Sequence, residues 1–398
     1  MSGPLAGIKV LDLSAFVAGP LCGSLLADYG ASVIKIERPN VGDLQREVGS
    51  RRNNMSGFFH VLNRGKRSLA INLQTDEGAR VVRTIASDAD VVLHNFRPGV
   101  TARLGIDYAS LRARNERLIY LAISGFGESG PRHLQRAYDP IIQFLSGIAS
   151  VQGGEGRRPV QVRQLLIDKL TAHAGAQSVL AALVARGNTG KGQEVQVSML
   201  DVAINFIWSD AASHLILQGD DVERFPPSGA AGHIAEYADG WGVTFALSDQ
   251  EFRSFLVALG LDDLVDDPRI ATIRARRENH QFLVEVYRQQ VATACKALTL
   301  EEAERRFIAK DVPFAPAKAL ADLPNDPQVL HNQTLRAGTH TIAGDYLEAR
   351  LPALFSETPA SASGPAPAVG EHSREVLAEY GFEAAEIEDW MARGLISC

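Results

Sequence analysis

Apolar runs and helical periodicities alternate along the first two hundred residues. Residues 8–13 form a short apolar run, 22–29 place apolar positions at helical spacing, and 32–37 form a second apolar run. This predicts strand, helix and strand at the length of a βαβ unit. Further strands are predicted at 91–93, 118–123 and 194–197, with helices over 76–85 and 168–186 between them. Such alternation predicts an α/β fold, a doubly wound parallel sheet in a large domain. A long helix over 200–218 runs into the proline- and glycine-containing breaker at 225–232.

The breaker sets the expected domain plan. Residues 1–222 are the first part of the large domain and 223–325 a smaller α+β domain. In the latter a strand is expected at 243–246, helices over 250–259, 277–294 and 300–310, and an extended stretch at 313–318. Residues 326–398 hold an extended stretch at 339–342, a Pro/Ala/Ser connection over 359–367 too poor in large side chains to hold structure alone, and amphipathic segments at 373–380 and 384–393.

Composition mainly excludes. A chain of 398 residues, 45% hydrophobic and 22% charged, is long enough for two cores, and its net charge of -7 argues against nucleic acid as a partner. Three scattered cysteines and ten histidines without ligand spacing give neither a disulfide framework nor a metal site, which fits a cytoplasmic protein. No signal peptide or membrane span is expected. After the first strand, Ala18 and Pro20 stand where a dinucleotide turn needs glycine, so a nicotinamide cofactor is not expected and the small residues are read as allowing close helix packing. Residues 122–126 and 187–192 likewise lack the spacing of a serine-hydrolase elbow and of a phosphate loop.

The position with most chemistry is Asp168, a lone acid that ends the apolar stretch 162–167 and opens a long small-residue helix. It falls where an N-cap is expected, and the helix's positive end is expected to favour its ionised form. It is either a cap or a carboxylate nucleophile. The basic stretch 63–68 reads as a solvated turn or as an attractor of phosphates, and Arg38, at the end of the second strand, faces the ligand crevice of such a sheet.

Residues 10–20 (VLDLSAFVAGP), 95–99 (NFRPG), 162–171 around Asp168, and 188–201 follow one another in an order that resembles the class III CoA-transferase family. This family includes formyl-CoA transferase and the carnitine CoA-transferases and is related to the α-methylacyl-CoA racemases. The resemblance implies a CoA-binding Rossmann-like domain built from both ends of the chain, a smaller domain, and a homodimer of interlocked chains. It implies Asp168 as the nucleophile that forms a mixed anhydride and then a CoA thioester. It carries over Val17, Ala18, Arg38, Ile71, Asn95 and Phe96 as CoA contacts, together with Val100, Arg103, Leu104, Arg136 and Tyr138. Coenzyme A enters as substrate, an acyl-CoA and a carboxylic acid are the partners, and no metal or resident cofactor is implied. Val17 stands where formyl-CoA transferase has a glutamine, which argues against oxalate and leaves succinyl-CoA with a dicarboxylate acceptor as the expectation. Tyr138 stands where the racemases have a second base, which favours transfer over the alternatives of a 2-methylacyl-CoA racemase and a non-catalytic CoA-binding protein. Residues 228–232 are the candidate for the family's glycine-rich active-site loop, and backbone amides of 125–130 are expected near the oxyanions.

Overall fold

In the computed structural model, whose described residues are 3–154, 156–223, 232–360 and 364–398, the apolar runs lie side by side as parallel strands. These are β1 (Lys9–Asp12), β2 (Ser32–Glu37), β3 (Lys66–Ile71), β4 (Val91–His94), β5 (Ile119–Ser124) and β6 (Glu194–Ser198). A two-residue strand, β7 (Ile396–Ser397), runs antiparallel to β3, giving the order β7-β3-β2-β1-β4-β5-β6. From β1 the chain winds outward to β3 on one side and, from β4, to β6 on the other. The direction of winding therefore reverses between β1 and β4, where sheets of this type open a ligand crevice beyond their carboxyl ends. Pairing of Leu11 with Val92 and Asp12 with Leu93 brings the loops that leave those two strands side by side.

Strand side chains alternate between two helical layers. Leu11, Ile34, Leu69, Val92 and Tyr120 pack with residues of α2 (Asp76–Ala86), α7 (Ser373–Glu379) and α8 (Ala384–Ala392). Val10, Val33, Val91, Ile119 and Leu121 pack with α1 (Ala18–Asp28) and α5 (Leu166–Thr189). Three further helices lie near the crevice: α3 (Val100–Leu104), α4 (Asp139–Leu145) and α6 (Met199–Trp208). The small residues of α1 do permit close approach, since a Cβ on Gly19 would fall 2.2 Å from that of Ser14 and one on Gly23 would fall 2.8 Å from Asp12 Oδ2.

The basic stretch 63–68 is neither a solvated turn nor a phosphate attractor. Lys66 begins β3 fully buried, donating to Asp12 Oδ2 at 2.8 Å, Pro20 O at 2.7 Å and Asn63 Oδ1 at 2.9 Å. Arg64 pairs with Asp28, and Arg67 with Glu375 and Glu379. The cations belong to the fold because each has a carboxylate partner reached only through tertiary structure. Burial lowers Lys66 to about 8 even with Asp12 beside it, whereas Lys66 and Lys35 outweigh burial and hold Asp12 below the usual carboxylate range.

The helix expected over 200–218 is divided. α6 ends at Trp208 and a short helix follows at Ser213–Ile216. Asp210 lies in the gap, where its side chain accepts from Ala211 N–H and its carbonyl from Ser213 N–H, local bonds that compete with continuation of the helix. The expected stretch 339–342 falls partly in a hairpin, Leu335–His340 against Gly344–Ala349.

The chain divides into two compact units, Met1–Pro227 with Asn332–Cys398, and Ser228–His331. In the second, strands His233–Tyr237, Gly240–Thr244 and Phe314–Pro316 form an antiparallel sheet over a core that includes Phe252, Phe255 and Phe307. The helix expected over 277–294 is unbroken from His280 to Lys296, with a π-helical turn at Tyr287–Val291, and Asn279 separates it from a short helix at Ile273–Glu278. Of the candidate active-site loop 228–232, residues 228–231 lie outside the described residues, as do 361–363 of the Pro/Ala/Ser connection. Among the described residues no helix is long and apolar enough to cross a membrane, and no cluster of His, Cys, Asp or Glu could hold a metal ion.

Candidate active site

Two adjoining cavities open at the reversal point of the sheet. The larger, about 740 Å³, is lined by Arg38, Ile71, Val100, Arg103 and Leu104 among others. The smaller, about 220 Å³, is lined by Val17, Ala18, Asn95, Arg136, Tyr138 and Asp168. Phe16 and Phe96 line both. Every residue carried over from the sequence therefore borders one cavity or the other. Asn95 does so with its amide engaged, since Nδ2 donates to Ala15 O at 2.6 Å and Oδ1 accepts from Ala15 N–H at 2.9 Å. It holds the neighbouring loop in place.

The head of α5 differs from expectation. The helix begins at Leu166, so Asp168 lies in its first turn and is not the N-cap; Leu165 occupies that position and caps nothing with its side chain. The capping group comes from α4. Asp139 Oδ2 accepts from Ile167 N–H at 2.6 Å and from Asp168 N–H at 3.0 Å, while Oδ1 accepts from Gln143 Nε2 at 2.6 Å. Gln143 Oε1 in turn accepts from Val162 N–H at 2.8 Å. The free amides at a helix start attract a carboxylate, and here the attracted carboxylate is Asp139.

This placement reverses the expected charge balance at Asp168. Its side chain is 8% exposed, borders the smaller cavity and makes no hydrogen bond or ion pair among the described residues. Burial, reinforced by the nearby Asp139 carboxylate, pushes Asp168 up to about 7. The helix end does not hold it ionised, because its first amides are already satisfied. A carboxyl group with raised proton affinity and no partner, at the wall of a cavity, is chemically available as a nucleophile or a base.

Cationic groups complete the surroundings. Arg38, Arg97, Arg103 and Arg136 line the cavities without an ion pair among the described residues. Tyr138, 57% exposed, meets the Phe16 ring edge-on at 6.4 Å. Of the amides at 125–130, Gly127 N–H is bonded to Ser124 Oγ at 2.9 Å, and Gly125 alone of that stretch lines the smaller cavity.

The profile of CoA-transferase family III matches residues 5–373. The chain belongs to CoA-transferase family III. It is 33% identical over 386 residues to the succinate–glutarate CoA-transferase of Agrobacterium fabrum, covering 94% of this chain and 95% of that protein. It is 32% identical to the succinyl-CoA–D-citramalate CoA-transferase of Chloroflexus aurantiacus, covering 94% of each. Among solved structures, a CaiB/BaiF family protein from Brucella suis superposes with a TM-score of 0.81 at 30% identity, covering 96% of this chain and all of that one. Family III enzymes take CoA thioesters as substrates, and these relatives favour an enzyme over the non-catalytic alternative and a transferase over the racemase.

Sequence reasoning passed over Asp139, Gln143 and Phe16. The one available signal was the pair Asp139-Pro140, since an acid followed by proline is a common start for a helix; that the acid serves a second helix is visible only in three dimensions.

The raised proton affinity of Asp168 has a consequence for stability. Its folded pKa of about 7 lies above the ordinary 3.8, so the folded protein holds this proton more tightly than the unfolded chain does. The resulting stabilisation is complete below the lower value and is lost as pH rises through the upper one. Asp168→Asn removes the titration. The variant should match wild type near pH 4 and exceed it by about 4 kcal/mol at pH 8. Denaturant unfolding at the two pH values measures the gap, and a gap that does not widen with pH would contradict this electrostatic description.

Proposed function

We propose that the protein transfers CoA between two dicarboxylic acids, succinyl-CoA being one donor, with Asp168 as the covalent nucleophile. The observation that carries the reading is the Asp168 carboxyl group, without a partner among the described residues, in the smaller cavity beside a larger one rimmed by Arg38 and Arg103, which make no ion pair among those residues. The nucleotide end of the acyl-CoA occupies the larger cavity, with its phosphates near Arg38 and Arg103, and the thioester extends past Phe16 and Phe96 to Asp168. In the dicarboxylate the second carboxylate meets Arg97 or Arg136. The relatives named for succinate, glutarate and citramalate support this substrate class, as does Val17, which offers no polar group to a small acid such as oxalate.

The chemistry needs no net proton transfer. An Asp168 oxygen adds to the thioester carbonyl, the C–S bond breaks, and an aspartyl anhydride and CoA thiolate result. The thiolate adds to the aspartyl carbonyl, breaking its bond to the bridging oxygen and releasing the donor acid. The acceptor carboxylate then attacks the aspartyl thioester and expels thiolate, forming a second anhydride. Thiolate attack on the acceptor's carbonyl gives the new acyl-CoA and restores Asp168. Each step exchanges one activated acyl group for another, which suits covalent catalysis provided water is kept out.

Asp168→Asn should retain the fold and lose transfer by at least about a thousandfold, because an amide does not attack a thioester at a useful rate. Mass spectrometry of wild type incubated with succinyl-CoA should show a CoA adduct at Asp168, absent from the variant. Near-normal turnover by a freshly purified, folded Asp168→Asn protein would reject the mechanism. A screen of succinyl-CoA against glutarate, citramalate and oxalate tests the substrate class.

The nucleophile acts ionised, so kcat/KM should rise as pH passes through about 7. Asp139→Asn removes the adjacent negative charge and should move this acid limb to lower pH by roughly half a unit or more. A limb that stays in place would assign the titration to another group.

We also propose an interlocked homodimer. Sedimentation at falling concentration should show dimer persisting until the protein unfolds, and an active monomer would rule it out.

A further inference from the structure

Phe16 lies where the two cavities meet, and its backbone is unusual. Its φ is +68°, a left-handed conformation that residues with a Cβ rarely adopt outside functional sites. Two buried side chains hold it there. Both carboxylate oxygens of Asp43 lie 3.2 Å from Phe16 N–H, while Lys35 Nζ donates to Asp43 Oδ2 at 3.0 Å and to Ser14 O at 2.9 Å. The side chains of Lys35 and Asp43 are 0% and 1% exposed. Asp43 is fixed in turn, its N–H donating to Glu37 Oε2, which also accepts from Arg46 Nε at 2.9 Å. On the cavity side, the Phe16 ring meets the edge of Tyr138.

Burying a lysine and an aspartate is costly, and apolar residues of like size often serve stability as well. Besides the cap that Asp43 Oδ1 gives to Gln45 N–H at 3.1 Å, what the pair supplies here is a set of bonds to one loop, residues 14–16. We propose that Lys35 and Asp43 are positioning residues that hold the Phe16 ring as a partition between the cavities, so that a bound acyl-CoA passes from one to the other along a single path and water does not. This inference rests on the CoA-transferase reading above.

The test combines calorimetric CoA binding, thermal melting and kinetics for Phe16→Gly, Phe16→Tyr, Asp43→Asn and the double variant Phe16→Gly/Asp43→Asn. Glycine accepts the left-handed backbone, so Phe16→Gly should melt no lower than wild type. It should bind CoA about tenfold more weakly, and acyl-CoA hydrolysis without acceptor should rise relative to transfer, while Phe16→Tyr retains affinity. Asp43→Asn should weaken CoA binding by a similar factor in the wild-type background but by less than about twofold once the ring is gone, because the two residues act as one device. Equal effects of Asp43→Asn in both backgrounds, or wild-type affinity in Phe16→Gly, would overturn the inference. If Asp43→Asn does not fold, the contrast between glycine and tyrosine at position 16 decides. Wild type that bound no CoA would reject the functional reading and this inference together, whereas normal wild-type binding with unchanged variants rejects the inference alone.

Discussion

Charge buried in the parallel sheet constrains everything built above it. Asp12 on β1, Lys35 and Glu37 on β2 and Lys66 on β3 are all excluded from solvent, and a buried ion without a partner is too costly to keep. Each has one. Asp12 takes Lys66, Lys35 takes Asp43, and Glu37 takes Arg46. Asp12, Lys35, Asp43 and Lys66 also bond to the backbone at Ser14, Phe16 and Pro20, which leads out of β1 into α1. The sheet therefore fixes the loop at the cavity wall directly, through ionic hydrogen bonds as well as packing. The absence of a side chain at Gly23 leaves room for the Asp12–Lys66 contact.

Most of the sheet was legible because its central strands are short apolar runs with clear breaks. β2 falls on the residues its pattern predicts, and β1, β4, β5 and β6 differ from expectation by a residue or so at their ends. β3 was misread because its first residues are Lys66, Arg67 and Ser68. Periodicity assigns such residues to water, yet here partners distant in sequence, Asp12, Glu375 and Glu379, neutralise them. β7 has two residues and no pattern of its own; it exists because β3 offers it an edge.

The lining of the two cavities was legible, and its electrostatics were not. A lone acid at the head of a small-residue helix marked Asp168, and the resemblance gathered the other wall residues, all of which border the cavities. Local sequence predicted that the helix would favour the ionised acid. That failed for a reason invisible along the chain: Asp139, from a different helix, already occupies the first amides and adds its own negative charge. The Lys35–Asp43 pair was hidden similarly, since a lysine within an apolar strand gives no hint of what it will hold.

Because one carboxylate both caps α5 and repels the charge on Asp168, mechanical integrity and chemical reactivity are tied to a single side chain. A substitution at position 139 that relieved the repulsion would also loosen the helix start. Neither property can be adjusted alone at that residue. Variation that tunes Asp168 without unsettling the helix must therefore act from other residues that line the smaller cavity, such as Arg97 and Arg136. Sequence change is easier to accommodate there than at Asp139.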